Sequence, residues 1–540
     1  MDATNFSLLY PNAETKARRE SGKDTPDIDL FTLEELGLLE FFPLSGEGLP
    51  RFLTTDPAVI DYRRAVFADM LACPELSAMQ ERLVPVLNDI LELRQLEAEN
   101  GQDDYLSTLT EIELYISSVE ILQTTLSAVK ENLKSPAFLS LAGRIAALAE
   151  SDYYRELNAK LKELTRRVRE IRSVTVGVNL DAQLRPQSAG VLSVNAEQFQ
   201  SGDVLEKILR MGKKNEEYTC IANLVPFGKK QNENQKAALS NAFHSAINEV
   251  YKSSLHSWKK IVQSYVLENT AFLLDLMPEF EFLARGTAFL RALREKGYPL
   301  ATPDERPMSE HAFAAVGLYN PCVALKLEEK AVPNDLCFDE TARIYVLTGP
   351  NRGGKSVITC ALGIAQVMFQ LGMFLPAEKM TISPVDAIYT HFPTGAEDTI
   401  DKGRLGEECA RLGEIFDCVT PNSLVLLDES LSSTGSFEAS YLAAEVLRGL
   451  AQVGCRALFS THLHELAAQI EELNRASLAA GGAPIDTLVA GMESEGKRSF
   501  KILRAKPDGK SYARDIAEGY GLTYEKILDR LGDLANHKSE

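Results

Sequence analysis

The sequence predicts a chain in two parts: a mainly α-helical N-terminal half carrying a small strand-bearing insertion, and a C-terminal α/β half. Three observations carry this. Through the N-terminal half apolar residues recur at three- and four-residue steps, as at Leu83, Leu87, Ile90 and Leu93, the spacing of a buried helical face. The period then shortens in Val174–Asn179 and Gly190–Asn195, which read as strands. Further on, short apolar runs at Ile344–Thr348, Leu424–Leu427 and Ala457–Ser460 stand between helical patterns, the alternation of an α/β sheet.

In chain order, residues 1–50 are mixed, with a short helical pattern at Leu33–Glu40. Thr54-Thr55-Asp56-Pro57 reads as a helix cap followed by proline at the first helical position. A helical domain is expected over 51–300, interrupted near Asn100–Gln102 and Ser135–Pro136. The insertion lies at about 173–235, its two strands separated by Asp181–Ser188. Helix returns from about Gln235 to Glu295, and 301–540 form the α/β domain.

The chemistry concentrates in that last domain. Ile344–Thr348 is followed by Gly349-Pro350-Asn351-Arg352-Gly353-Gly354-Lys355-Ser356 and then a helical pattern. This is a G-x-x-x-x-G-K-S phosphate loop between a strand and a helix, the context that the motif requires. Its glycines let main-chain N–H groups curl around phosphate oxygens, and the helix dipole favours the anion. Lys355 is expected on the β- and γ-phosphates, and Ser356 on a Mg2+ ion. Gly349 to Val357 thus form the expected nucleotide-binding stretch, Val357 included.

A second buried strand, Leu424–Leu427, ends in Asp428-Glu429. An Asp in that position suits the metal partner of a phosphate loop, and the adjacent Glu429 suits a carboxylate that orients an attacking water. A third strand runs into Thr461-His462. His462 reads equally well as a γ-phosphate sensor and as an ordinary loop histidine.

These segments, in order, resemble the MutS family of DNA mismatch-repair ATPases. The resemblance rests on Val332–Asp335, Thr348–Ser356, Gly372–Ala377, Ser423–Glu429 and Ser460–Leu466. It covers about residues 320–470 strongly and the upstream helical region by order and pattern. It implies an ABC-type P-loop ATPase that binds ATP and Mg2+, preceded by a helical lever with a clamp-like insertion. Lys355, Glu429 and His462 then match catalytic positions, Ser356 and Asp428 the metal, and Asn334 a position near the nucleotide base. It also implies a homodimer whose ATP sites are completed across the interface, and DNA as a partner, with a repair or recombination protein as another.

Departures from the family pattern are specific. A G-x-S-T-F segment that reaches the partner subunit's nucleotide is replaced by Lys402-Gly403-Arg404-Leu405-Gly406-Glu407-Glu408. The candidates left for that contact are the main-chain N–H groups of Gly403 or Gly406, or the side chain of Arg404. The loop after Glu429 reads Ser430-Leu431-Ser432-Ser433-Thr434 in place of a glycine- and arginine-containing one, and Ala331 stands where an aromatic is common. Only about 50 residues precede the helical region, and they hold no F-x-E mismatch wedge, so a distorted or branched duplex is expected as ligand ahead of a mismatch. The tail from Pro507 is too short for an appended nuclease domain.

Composition bounds the partners. The net charge of −20 argues against a uniformly basic nucleic-acid binder. Residues 151–260, however, hold 18 Lys and Arg against 12 Asp and Glu, a local +6 that leaves −26 for the rest. Lys160, Lys162, Arg166, Arg167 and Arg169 crowd one predicted helix, and Lys213, Lys214, Lys229 and Lys230 follow. By charge alone this is equally a solvated face or a set of phosphate contacts; the resemblance tips it toward DNA. No apolar run is long enough to span a membrane, and the N-terminus has no secretory pattern. The eight Cys form no C-x-x-C and read as buried thiols of a reducing compartment, so the expected location is the cytoplasm or the nucleoid. Two other readings stand beside this one. A transporter ATPase subunit lacks its L-S-G-G-Q signature here. A nucleotide-switched protein that acts on a protein partner without DNA is favoured by the acidic balance and opposed by the basic segment.

Overall fold

The structure is a computed structural model that describes residues 6–43, 48–100, 105–169, 172–180, 182–183, 186–195, 197–198, 200–201, 219–220, 271–350, 352–392, 403–492, 498–506 and 522–528. The chain divides into two compact units, one of 1–6 with 73–280 and the other of 7–72 with 281–540. These divisions differ from the expected bounds at residues 50 and 300.

The first unit is helical. Helices Pro74–Asn100, Tyr105–Val129, Pro136–Glu150 and Asp152–Arg169 follow one another. Leu83, Leu87 and Ile90 are fully buried, as are Tyr115, Val119 and Leu122 on the next helix. Arg94 pairs with Glu111 at 2.8 Å between these two helices. Ser135 caps the third, its Oγ accepting from Phe138 N at 3.3 Å, with Pro136 at the first position where no N–H is needed. Strands Ser173–Leu180 and Pro186–Asn195 pair antiparallel as a hairpin, and contain both sequence-predicted strands. Of the expected basic residues, Lys160, Lys162, Arg166, Arg167 and Arg169 lie on Asp152–Arg169, and Lys162 is exposed. Lys213, Lys214, Lys229 and Lys230 lie outside the described residues.

The second unit begins with α1 (Ala13–Glu20), α2 (Leu30–Glu35) and α3 (Pro57–Ala72), and resumes at residue 281, within α4 (Met277–Glu295). The predicted cap before Pro57 is present: Asp56 Oδ1 accepts from Ala58 N at 2.9 Å. Then come β1 (Asp304–Glu305), β2 (Phe313–Leu318), α5 (Pro321–Lys326), β3 (Asn334–Phe338), β4 (Ile344–Thr348), α6 (Lys355–Gln370), β5 (Lys379–Ile382) and β6 (Ile388–His391). α7 (Gly403–Cys418), β7 (Leu424–Asp428), α8 (Ser436–Val453), β8 (Arg456–Ser460), α9 (His464–Ala479), β9 (Ile485–Met492) and β10 (Arg498–Arg504) follow.

A six-stranded sheet runs β6-β7-β8-β4-β9-β10, and a four-stranded one β1-β5-β2-β3. In the larger sheet all neighbours are parallel except β9 and β10. Its central strands read as unbroken apolar runs because both faces are covered. Ile344, Val346, Val425, Leu427, Ala457 and Phe459 pack with Leu447 of α8 and Leu466 and Ile470 of α9. The opposite face meets α6, which is buried along most of its length.

The N-terminal segment covers the edge of that sheet. Asp27 N donates to Asp386 O at 2.7 Å, and Ile388 N donates to Asp27 O at 3.2 Å, beside β6. Thr54 N donates to Gln370 O at the end of α6 at 3.1 Å. Fully buried Arg63 on α3 donates to Leu9 O and Phe52 O. An exposed strand edge is a liability for aggregation, and Asp27, Thr32 and Glu35 bond to part of this one.

Candidate nucleotide site

Parallel alignment brings three strand ends together. In register, Asp428 lies opposite Ser460, and Ser460 opposite Leu347. β7, β8 and β4 therefore deliver the acidic pair, the Thr461-His462 segment and the phosphate loop to one edge of the sheet, where ligands of open α/β sheets bind.

The loop leaves β4 through Gly349, whose φ of 144° is one that L side chains rarely adopt. A Cβ there would lie 2.6 Å from Cβ of Ala490 on β9, so no larger residue fits. Gly353 N donates to Pro350 O at 3.0 Å. Gly354 precedes α6 with no side-chain cap, which leaves the first main-chain N–H groups of the helix without an acceptor from a capping side chain. Arg352, Ser356 and Val357 are exposed along this loop and first turn. Asn351 lies outside the described residues.

Lys355 is 4% exposed. Its Nζ donates to Gly349 O at 3.1 Å and Pro350 O at 3.3 Å, and lies 3.9 Å from Glu429 Oε1. Burial pushes the ammonium below the usual lysine range, while Glu429 and then Asp428 pull it back up. A phosphate arriving here would meet a cation already stripped of water, for which the added negative charge is a large gain.

Asp428 Oδ1 is buried and meets no donor among the described residues, and Ser460 Oγ is likewise unpartnered. Such groups are rare in folded proteins and call for an explanation. A carboxyl oxygen left without a donor suits a divalent cation that the chain does not itself supply. Glu429 N donates to Ser460 O at 2.8 Å, and its side chain is 44% exposed. His462 is exposed just past β8. Among the described residues no group of three His, Cys, Asp or Glu side chains has the arrangement of a metal site.

Asn334 is 7% exposed. Its Nδ2 donates to Val332 O at 3.3 Å and Phe500 O at 3.2 Å, and its Oδ1 accepts from Ile502 N at 2.7 Å. Both amide hydrogens are thus used on main chain, and the residue braces β10. That strand carries Phe500, which sequence reasoning missed. Phe500 is 45% exposed, has a φ of 55°, and lies in ordinary contact distance of a Cβ built on Gly354, at 3.6 Å. The one sequence signal was indirect: Ala331 left a nucleotide site without an aromatic. Nothing in the spacing of Arg498–Arg504 points to the phosphate loop.

Gly403 and Arg404 open α7, with Arg404 exposed, and Lys402 lies outside the described residues. Among the described residues no helix is long and apolar enough to cross a membrane.

Two family models match separate stretches of the chain. The family model for MutS domain V matches residues 345–511, and that for the MutS2 N-terminal domain matches residues 55–295. The chain is 34% identical over 170 residues to the DNA mismatch repair protein MutS of Prochlorococcus marinus (strain MIT 9301), covering 31% of this chain and 19% of that protein. The protein of the same name from Chloroflexus aurantiacus is 33% identical over 216 residues, 38% of this chain and 21% of the relative. That from Streptococcus thermophilus is 32% identical over 207 residues, 37% of this chain and 23% of the relative. The chain spans about a fifth of the length of these curated relatives. A phosphate loop, an acidic strand end and a histidine-bearing strand end assembled within a match to MutS domain V, and a helical unit within a match to the MutS2 N-terminal domain, place this chain in the MutS family.

Proposed function

We propose that this chain hydrolyses ATP and uses the cycle to change its grip on distorted or branched duplex DNA. The observation that carries the ATPase reading is the meeting of buried Lys355, Asp428 Oδ1, which meets no donor among the described residues, and the exposed carboxyl of Glu429 beside one phosphate loop. In this reading Lys355 and the first N–H groups of α6 hold the β- and γ-phosphates. Asp428 and Ser356 hold Mg2+, which when bound supplies charge neutralisation at the phosphates. Glu429 orients the water that attacks in line, and His462 responds to the γ-phosphate. Phe500 offers the base a stacking face in place of the aromatic missing at Ala331.

Gly403 and Arg404 contribute to the nucleotide site of a second copy of the chain, so that ATP favours a homodimer. DNA is held by its backbone through the basic residues of 151–260, in the cytoplasm or on the nucleoid. One feature favours action on a protein partner without DNA: the net charge of −20.

Salt dependence separates these readings. DNA binding should fall with salt at a slope near about −0.9 per neutralised phosphate. Reversing charge at Arg166, Arg167 and Arg169 together should weaken all duplexes about equally, since phosphates carry no sequence, and leave ATP turnover unchanged. An electrophoretic panel of homoduplex, mismatched and branched DNA, with and without ATP, reads both. Unchanged affinity in the triple variant, or no binding at low salt, would favour the protein partner.

A further inference from the structure

The turn after β7 is held by three different elements. Glu429 and Leu431 both have left-handed backbone, with φ of 53° and 65°, and neither is glycine. Glu429 N is tied to Ser460 O, at the end of β8, at 2.8 Å. Ser430 Oγ donates to His391 O at 3.1 Å, at the end of β6, and lies 2.6 Å from His391 Nδ1. A hydroxyl has one hydrogen; with it on the carbonyl, the ring donates from Nδ1. Leu431 N donates to Oε2 of Glu408 on α7.

Glu408 is 4% exposed, and its other oxygen, Oε1, is buried and meets no donor among the described residues. A half-satisfied buried carboxyl is a poor device for fold stability. Its service is local: it anchors the residue two positions past Glu429. Glu408 also sits on the second turn of α7, the helix that opens with Gly403 and Arg404.

We propose that Glu408 is a positioning residue for ATP hydrolysis. By anchoring Leu431 it keeps Glu429 in its left-handed pose, and it ties the position of α7 to the water-orienting carboxyl. A displacement at the Gly403–Arg404 end of α7 is then transmitted to Glu429 through one hydrogen bond. This rests on the reading of Glu429 as the residue that orients water.

The test uses the full chain and steady-state ATP turnover, with thermal melts alongside. Glu429→Gln should slow turnover by about 100-fold. Glu408→Met keeps the shape but removes the acceptor, and should lower kcat by about tenfold with KM for ATP within about twofold, since misplacement of a reacting group acts on the chemical step. Glu408→Ala should do the same if it folds. Glu408→Gln retains an acceptor oxygen and should recover most of the rate. The double variant Glu408→Met with Glu429→Gln should be no slower than Glu429→Gln alone. A native rate in Glu408→Met, a parallel loss of melting temperature and ATP binding, or a further loss in the double variant would overturn the proposal. A native rate in Glu429→Gln would instead sink the assignment of the water-orienting residue, and this proposal with it.

Discussion

Two turns lie at strand ends on one edge of the same sheet, with β8 between them, and they meet the same backbone problem in different ways. The phosphate loop puts glycine at two of its three described positive-φ positions, Gly349 and Gly354, and Arg352, with φ of 60°, at the third. The turn after β7 puts Glu429 and Leu431 there. Left-handed backbone costs an L residue about 1–2 kcal/mol. The loop avoids most of that cost because it works through main-chain N–H groups, and at Gly349 a side chain would collide with Ala490. The second turn cannot avoid it. Its working group is the carboxyl of Glu429, so a side chain must sit on the strained residue. The conformation is held instead by Ser460, His391 and Glu408. Where function lies in the backbone, glycine takes most of the strained positions; where it lies in a side chain, the strain is carried by distant partners.

The largest effect that tests this contrast is on the loop. Gly349→Ala should lower ATP affinity by at least about 100-fold, because strained backbone and a clash add at one residue. Titration with a fluorescent nucleotide measures it. Adding Ala490→Gly should restore part of the loss by removing the colliding Cβ, and no recovery at all would show that backbone strain alone is responsible.

A smaller effect is expected beside the loop. Phe500→Ala should raise KM for ATP about tenfold at unchanged kcat, the scale of one lost aromatic stacking contact on a base. Phe500→Trp should keep the native KM. Equal KM in Phe500→Ala would remove the residue from the nucleotide site.

The smallest effect at neutral pH concerns a tether of the second turn. Burial, with Arg411 adding to it, lowers the His391 imidazole to about 4 from its ordinary value of 6.5. The unfolded chain therefore takes up this proton first as pH falls. The penalty is absent above about pH 6.5, grows through the window down to about 4, and is complete below it, with a ceiling of about 3 kcal/mol. Asn in place of His391 retains a donor near Ser430 but does not titrate. Melting curves of the two proteins should coincide near pH 7 and separate as pH falls toward 4, with His391→Asn the more stable. Burial shifts Glu35 upward, but that group is common to both proteins and cancels in the difference. Parallel curves throughout would show that His391 is not held neutral.

How much was legible follows from where each signal resides. By itself the sequence determined what is local: the phosphate loop between strand and helix, the strand ending in Asp428-Glu429, the Thr54–Pro57 cap, the helical interruption at Ser135–Pro136 and the paired strands after Ser173. Each is a short-range match between residue type and backbone, by glycine, by capping oxygen, by proline or by period. Only the tertiary structure decided that residues 27–35 lie along the edge of the sheet at β6, more than 300 positions away, that Asn334 braces β10, that Phe500 stands beside Gly354, and that Glu408 holds Leu431. Those contacts join segments with no shared period and no fixed spacing. A hydrogen bond or ring contact between elements is set by how strands order in a sheet and which face a helix buries, and neither is written in the residues on either side of it.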